Sequence, residues 1–406
     1  MTLLIHSAHP TQVLRDLPVL SHLPRAALRG DSGTVWIVVD EDGQPVRGGL
    51  GDSFRGLPEI DAVATRVDAT GLYLTAPFTD IHSHGAGGYA YEEVESLPAS
   101  LKVHREHGTG RAVASLVANP LKELEASCRR IATVIESGDG VPEGVRLEGI
   151  HAEGPWLSPT HKGAHREDFL HGASLDEAKR LVEAAGGYLR QVTLAPEYDE
   201  DLAVTRYLVD QGVRVAVGHT NADYATARRA FDAGASILTH AFNAMNGIHH
   251  RRPGPVMAAM ESPHVYAEVI ADGVHVAPEV IAMLFRSLPE RVLLITDAMS
   301  ATGQSDGEYR LGSLDVHVEA GIARLATQDG SQGAIAGSTL TMDQAVRTVV
   351  SAGVSINEAL IAASTRPARA LGLPPWGQGL SVQLLDSKLN PVPGVIPRTS
   401  IRRPRP

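Results

Sequence analysis

The stretch Val145-Arg146-Leu147-Glu148-Gly149-Ile150-His151-Ala152-Glu153-Gly154-Pro155 carries a largely apolar run out to a carboxylate and stops at a Gly-Pro break. A strand ending this way delivers Glu153 to the edge of a sheet, and His151, two residues earlier, shares its face. Four other segments repeat the pattern: Asp80-Ile81-His82-Ser83-His84, Gly218-His219-Thr220, Thr239-His240-Ala241-Phe242-Asn243 and Thr296-Asp297-Ala298. Working outward, strand-like runs recur at residues 72–80, 111–118, 145–152, 189–195, 214–217, 236–240, 266–271 and 291–295. Helical periodicity fills the intervals at 120–137, 174–185, 199–211, 222–233 and 277–286. Strand and helix alternating in this way predict an α/β fold, a parallel (β/α)8 TIM-like barrel. Such a barrel gathers the residues that follow its strands at one C-terminal mouth.

The two ends of the chain read differently. Residues 34–39 and 62–67 are strand candidates, with a turn at Asp42-Gly43 between them. The expected division is 1–70, 71–372 for the barrel, and 373–406, a reduced return segment with a basic tail at Arg398, Arg402, Arg403 and Arg405. Beyond Asp297, residues 309–318 and 321–325 predict a hairpin beside the mouth, and 342–351 and 357–371 predict helices. The glycine-rich stretch from Gly333 to Ser338 does not match a phosphate-binding helix start.

A chain of 406 residues with 43% hydrophobic and 20% charged residues can bury the core of one large and one small globular unit. Lys and Arg number 36 against 47 Asp and Glu, a formal charge of -11, which argues against nonspecific nucleic-acid binding. The single cysteine, Cys128, rules out an intrachain disulfide and reads as a helix core residue. No leader pattern and no apolar run of membrane-spanning length stand out, so a soluble cytoplasmic protein is expected.

The candidate site residues are histidines and carboxylates. If β-structure ends near residue 82, His82 and His84 both point into the mouth. Glu153 either caps a turn or coordinates a metal, and His151 is either a neighbour of that ligand or a spectator. His219 and His240 each close an apolar run. Two histidines and one carboxylate with an open position form a familiar catalytic zinc arrangement. Asp297 is placed to move the proton of an activated water, or else to cap a helix. His275 and Asn243 read as substrate contacts. His104, His107, His249, His250 and His264 read as structural.

Taken together, these segments resemble the amidohydrolase superfamily and, more narrowly, the N-acetylglucosamine-6-phosphate deacetylases. The narrower likeness rests on Ile150-His151-Ala152-Glu153-Gly154-Pro155-Trp156, Lys162-Gly163-Ala164-His165, Val217-Gly218-His219-Thr220 and Thr239-His240-Ala241-Phe242-Asn243-Ala244-Met245. It continues through Arg252-Pro253-Gly254, Ile270-Ala271-Asp272-Gly273-Val274-His275, Thr296-Asp297-Ala298 and Gly337-Ser338-Thr339-Leu340-Thr341-Met342. It covers residues 72 to 372, and it implies that the two chain ends join in a small β-sandwich domain. The resemblance implies that Glu153, His219 and His240 hold a principal divalent metal, zinc first, with iron, manganese or cobalt as alternatives. His82 and His84 would help bind a second ion, bridged by Glu153. Asp297 would be general base and then acid, and His275 would meet the acetamide carbonyl. Asn243 and the Ala244 backbone would face the phosphate, with Arg251 reaching across a homodimer interface and His165 on a loop over the site. The chain departs from the family at Ala76-Pro77-Phe78, where Pro-Gly-Phe is usual, and at both ends; only residues 380–385 and 386–392 resemble the return strand.

The implied reaction is hydrolysis of the acetamide of N-acetylglucosamine 6-phosphate in amino-sugar catabolism. The galacto epimer and other N-acyl substrates are the enzymatic alternatives. The region Thr193-Leu194-Ala195-Pro196-Glu197 lacks the lysine that dihydroorotase-like relatives carry. A catalytically silent sugar-phosphate-binding barrel is the alternative from another class.

Overall fold

The computed structural model describes residues 2–28, 33–41, 43–63, 65–327, 332–374 and 382–393. The N-terminal part supplies β1 (Leu3–Pro10), β2 (Val35–Val39), β3 (Pro45–Leu50), β4 (Thr65–Asp68) and β5 (Tyr73–Thr75). The barrel strands follow: β6 (Phe78–Ser83), then a short ribbon of β7 (Gly85–Ala86) and β8 (Tyr89–Ala90), then β9 (Thr109–Leu116), β10 (Arg146–Glu153), β11 (Leu189–Leu194), β12 (Arg214–Val217), β13 (Ile237–Leu238), β14 (Tyr266–Ile270) and β15 (Val292–Ile295). An antiparallel sheet of β16 (Gly307–Leu311), β17 (Leu314–Glu319) and β18 (Ile322–Leu325) comes next, and β19 (Gln383–Leu385) returns to pair antiparallel with β5.

The eight barrel strands pair in parallel in the order β6-β9-β10-β11-β12-β13-β14-β15. The barrel closes between β15 and β6 through short links at their ends. Asp297 N–H donates to the His82 carbonyl at 2.8 Å, and His84 N–H donates to the Ala298 carbonyl at 2.7 Å. The Thr296 hydroxyl donates to Asp80 Oδ2 at 2.5 Å. The last strand is thus sewn to the first by the residues around the candidate site.

The intervening helices form where periodicity and caps agree. In the helix Leu121–Ser137 the buried set Leu124, Cys128, Ile131 and Ile135 recurs at helical spacing and lies on the barrel. Each of the three aliphatic side chains among them contributes roughly 1.5–3 kcal/mol by burial. Burial also pushes the Cys128 thiol up to about 12. The helix ends at Gly138, whose φ of 72° is left-handed backbone that glycine adopts without cost. Ser174 and Ser355 cap the helices Leu175–Ala184 and Ile356–Ala363 by accepting from the N–H of Glu177 and Glu358, each with Glu three residues on. One contiguous apolar core runs through the terminal strands, the barrel and its helices.

Three expectations change. The run 72–80 is two strands, β5 and β6, because Ala76-Pro77 interrupts it and Pro77 has no N–H to donate. The pair predicted at 309–325 is a three-stranded sheet, since Gly312, at φ 55°, turns the chain inside the first run. The helix predicted at 357–371 is two, Ile356–Ala363 and Thr365–Ala370, broken at Ser364 with φ -129° and ψ -82°. Gly43 is in a turn, with φ 74° and its N–H bonded to the Asp40 carbonyl. Its partner Asp42 and the four tail arginines lie outside the described residues. Among the described residues no helix is long and apolar enough to cross a membrane.

Candidate metal centre

The strand ends build the site by a common device. Glu153 is the last residue of β10, and His82 and His84 straddle the end of β6. His219, His240 and Asp297 each lie two residues beyond β12, β13 and β15. All three have positive φ, 46°, 26° and 51°. Such backbone costs a non-glycine residue of order 1–3 kcal/mol. It breaks the strand and turns the side chain into the mouth instead of along the sheet.

Six side chains converge there. Glu153 Oε1 lies 3.2 Å from Nε2 of both His219 and His240, and these two nitrogens are 3.0 Å apart. On the other side, His82 Nε2 is 3.4 Å from Glu153 Oε1, His84 Nε2 is 3.2 Å from Glu153 Oε2, and the two nitrogens are 3.3 Å apart. Asp297 Oδ1 is 3.3 Å from His84 Nε2 and 3.5 Å from His82 Nε2. Glu153 therefore belongs to two three-donor groups, Glu153–His219–His240 and His82–His84–Glu153, each with its donor atoms within 4.8 Å of one another. The Asp297 side chain, 11% exposed, is more open than Glu153 or the four histidines.

These donors fit a cation. Four ligands about 2.1 Å from one ion in tetrahedral array stand roughly 3.4 Å from each other, close to the separations found. His219 Nδ1 donates to the His161 carbonyl at 2.9 Å, which leaves a lone pair on Nε2 facing a carboxylate oxygen and another imidazole nitrogen. A lone pair so placed can ligate an ion. Without an ion the site draws protons instead. Burial opposes charge on His82 and His84, but Glu153 and Asp297 outweigh it. They hold His82 well above the usual imidazole range and push His84 up to about 9. Burial likewise opposes charge on Asp297, and His82 and His84 overcome it, bringing its carboxyl down to about 2.

The surrounding residues hold this arrangement. His165 is buried; its Nδ1 accepts the Ala118 N–H at 3.2 Å, so its proton is on Nε2, directed at Glu153 Oε2 3.4 Å away. Burial brings its pKa down to about 4, which keeps it neutral. His151 lies beneath, bonded to Ser115 at 2.9 Å and Thr193 at 2.8 Å, with its ring edge-on to His82. Asn243 Nδ2 donates to the His240 and Ala241 carbonyls, and the Ala244 carbonyl accepts the Thr220 N–H at 3.1 Å. His275 Nδ1 faces Asp272 Oδ2 at 2.7 Å, beside a cavity of about 420 Å³ lined also by Gly337, Ser338 and Thr339. Arg251 is exposed, with its guanidinium against His250 at 2.7 Å. The fold thus gathers Glu153, His219, His240, His82, His84, Asp297 and His165, while His275, Asn243, Ala244 and Arg251 stand on the loops around them. Two buried residues of the site receive no role from the sequence, although Asp80 heads the segment that carries His82 and His84. Asp80 clamps Thr296, and Glu268 bonds to His82; the visible signal for Glu268 is an acid inside the apolar strand Tyr266–Ile270.

A parallel barrel with His and carboxylate donors converging at its C-terminal mouth defines the class: it is built for metal-assisted hydrolysis. The chain belongs to the amidohydrolase family, whose sequence profile matches residues 73–378. Among curated relatives, N-acetylgalactosamine-6-phosphate deacetylase of Escherichia coli O157:H7 is 37% identical over 82% of this chain and 88% of its own length. N-acetylglucosamine-6-phosphate deacetylase of Vibrio furnissii is 36% identical over 72% of each chain. Among solved structures, a mutant of N-acetyl-D-glucosamine-6-phosphate deacetylase from Mycobacterium smegmatis, in complex with N-acetyl-D-glucosamine-6-phosphate, superposes with a TM-score of 0.82 at 37% identity, covering 96% of both chains.

Proposed function

We propose that this chain deacetylates N-acetylglucosamine 6-phosphate, releasing acetate and glucosamine 6-phosphate. The observation that carries the reading is Asp297 Oδ1 at 3.3 Å from a histidine of a donor group centred on Glu153, in a chain whose relatives are named for this reaction. Glu153, His219 and His240 would hold the principal divalent ion, zinc, and His82 and His84 would complete a second site with Glu153. A divalent ion there supplies Lewis acidity and acidifies water to a pKa of about 7. Asp297, ionised and the most open of the acids, takes the proton of the attacking water and passes it to the departing amine nitrogen. His275 donates to the acetamide oxygen as charge builds on it, the stage at which fixed donors contribute most. His165 keeps the outer oxygen of Glu153 in place. Asn243 and the Ala244 backbone meet the phosphate, and Arg251 of a second copy completes that end in a cytoplasmic homodimer. The barrel begins at β6, not at residue 71, because β5 pairs with β1 and with the returning β19 in the small β domain.

The galacto epimer is a second reading, because the Escherichia coli N-acetylgalactosamine-6-phosphate deacetylase aligns over more of this chain than the Vibrio furnissii enzyme does. Acetate release from the two 6-phosphates, measured side by side on zinc-loaded protein, tests both. Faster turnover of the gluco substrate supports the first reading, faster turnover of the galacto substrate replaces it with the second, and no release from either removes both.

A further inference from the structure

Glu268 is fully buried in β14, and its carboxylate reaches three other strands or strand ends. Oε2 accepts from His82 Nδ1 at 3.0 Å and from the backbone N–H of His240 at 3.3 Å. Oε1 accepts from Gln191 Nε2 at 2.8 Å. The Glu268 carbonyl accepts the N–H of Ala241 at 2.8 Å, so main chain and side chain both secure the residues that carry His240 out of its strand.

An ionised carboxylate only accepts hydrogen bonds. A His82 that ligates an ion must therefore keep its proton on Nδ1, where Glu268 lies, and offer its lone pair on Nε2, the atom that faces Glu153 and His84. The opposite tautomer would set two acceptors against each other at 3.0 Å and put a proton among the donors. Outer carboxylates fix ring orientation and raise ligand basicity in this manner. The charge matters as well as the acceptor, because a negative group behind the ring strengthens its hold on a cation in front.

The geometry points to Glu268 as a positioning residue: it selects the tautomer of His82 and so determines whether the His82–His84–Glu153 group can take its ion. This rests on the metal reading above, and goes beyond it in separating the two sites. Loss of the Glu268 carboxylate weakens the His82 site more than Glu153–His219–His240: His82 loses its Nδ1 acceptor, whereas His240 loses only a 3.3 Å backbone bond and Ala241 keeps its main-chain bond to the residue-268 carbonyl.

The test is zinc binding to chelator-stripped full chain, with two affinities resolved by competition with a chromophoric chelator, for wild type, Glu268→Gln and Glu268→Leu. Wild type is expected to take two ions. Glu268→Gln keeps an acceptor for His82, since Gln191 can turn its amide, but lacks the charge; its second ion should bind about tenfold more weakly and its first unchanged. Glu268→Leu should take one ion only. If the leucine variant does not fold, the glutamine variant decides. A merely structural role would lower the melting temperature of the stripped protein without splitting the two affinities. Unchanged affinities, an equal loss at both sites, or a wild type that takes one ion overturns the inference. A wild type that takes none overturns the metal reading itself.

Discussion

Asp297 donates its backbone N–H to the carbonyl of His82 at 2.8 Å, and its carboxylate stands 3.5 Å from the ring of the same histidine. The contact that closes the barrel is therefore also a contact inside the candidate site. Beside it, Asp80 accepts from the Thr296 hydroxyl at 2.5 Å and from the Thr296 N–H at 3.3 Å. Closure and donor placement should fail together. Thr296→Val removes the hydroxyl while keeping the side-chain shape, leaving a buried carboxylate oxygen without its short bond. The loss should be about 1–3 kcal/mol, read as a lower urea midpoint. Catalytic loss should exceed the unfolded fraction, since His82 and Asp297 straddle the seam. An unchanged midpoint would show that the backbone links close the barrel alone.

Asp297→Asn tests the proton-transfer role with the seam intact, because the hydrogen bond to His82 comes from the backbone. Turnover should fall by about 10²–10⁴-fold, the usual contribution of a positioned acid-base. Zinc stoichiometry should match wild type, since Asp297 belongs to neither three-donor group. Activity within a factor of a few of wild type would take the proton-transfer step away from this residue.

Several site residues were legible in the sequence for a physical reason. His219, His240 and Asp297 each stand just beyond an apolar run, and only a strand ending there can hold a polar group at the mouth. Glu268 carried a signal that was easily discounted, because Tyr266, Glu268 and Ile270 alternate with Ala267 and Val269 as in a strand with one wet face. A parallel barrel covers both faces, and the position that reads as solvent faces the interior. The seam was hidden for another reason: it joins residues 80–84 to 296–298, and no local pattern reports a contact across that separation. The division between β5 and β6 was written as Ala76-Pro77, yet the apolar residues on either side masked it.

Stripping the ions should destabilise the fold without unravelling it. Two donors are anchored from behind, His219 by the His161 carbonyl and His82 by Glu268, and His165 beside Glu153 is held by Ala118; none of these contacts needs a cation. Ligand binding at 100 times its dissociation constant contributes about 2.7 kcal/mol. The melting temperature should fall on chelation, recover with zinc, and rise with zinc concentration, while far-ultraviolet circular dichroism stays unchanged. Loss of helical signal on chelation would mean that the donor cluster forms only around its metal.

Acid stability offers a test away from the site. Asp343 has a buried side chain at the start of the helix Met342–Ser351, where it bonds His107 at 3.1 Å and Arg347 at 2.9 Å. Burial opposes its charge, but hydrogen bonds from His107, Thr341 and Arg347 outweigh that and hold the carboxyl well below its ordinary range. A carboxyl depressed in the folded state contributes stability above its unfolded pKa of about 3.9, and loses it as pH falls through the folded value. Asp343→Asn should therefore melt lower than wild type at pH 7, with the gap constant down to about pH 5 and narrowing below pH 4. Differential scanning calorimetry across that range checks the sign. A gap that widens below pH 4, where the carboxyl takes up its proton, would mean that the ionised Asp343 costs stability in the folded protein.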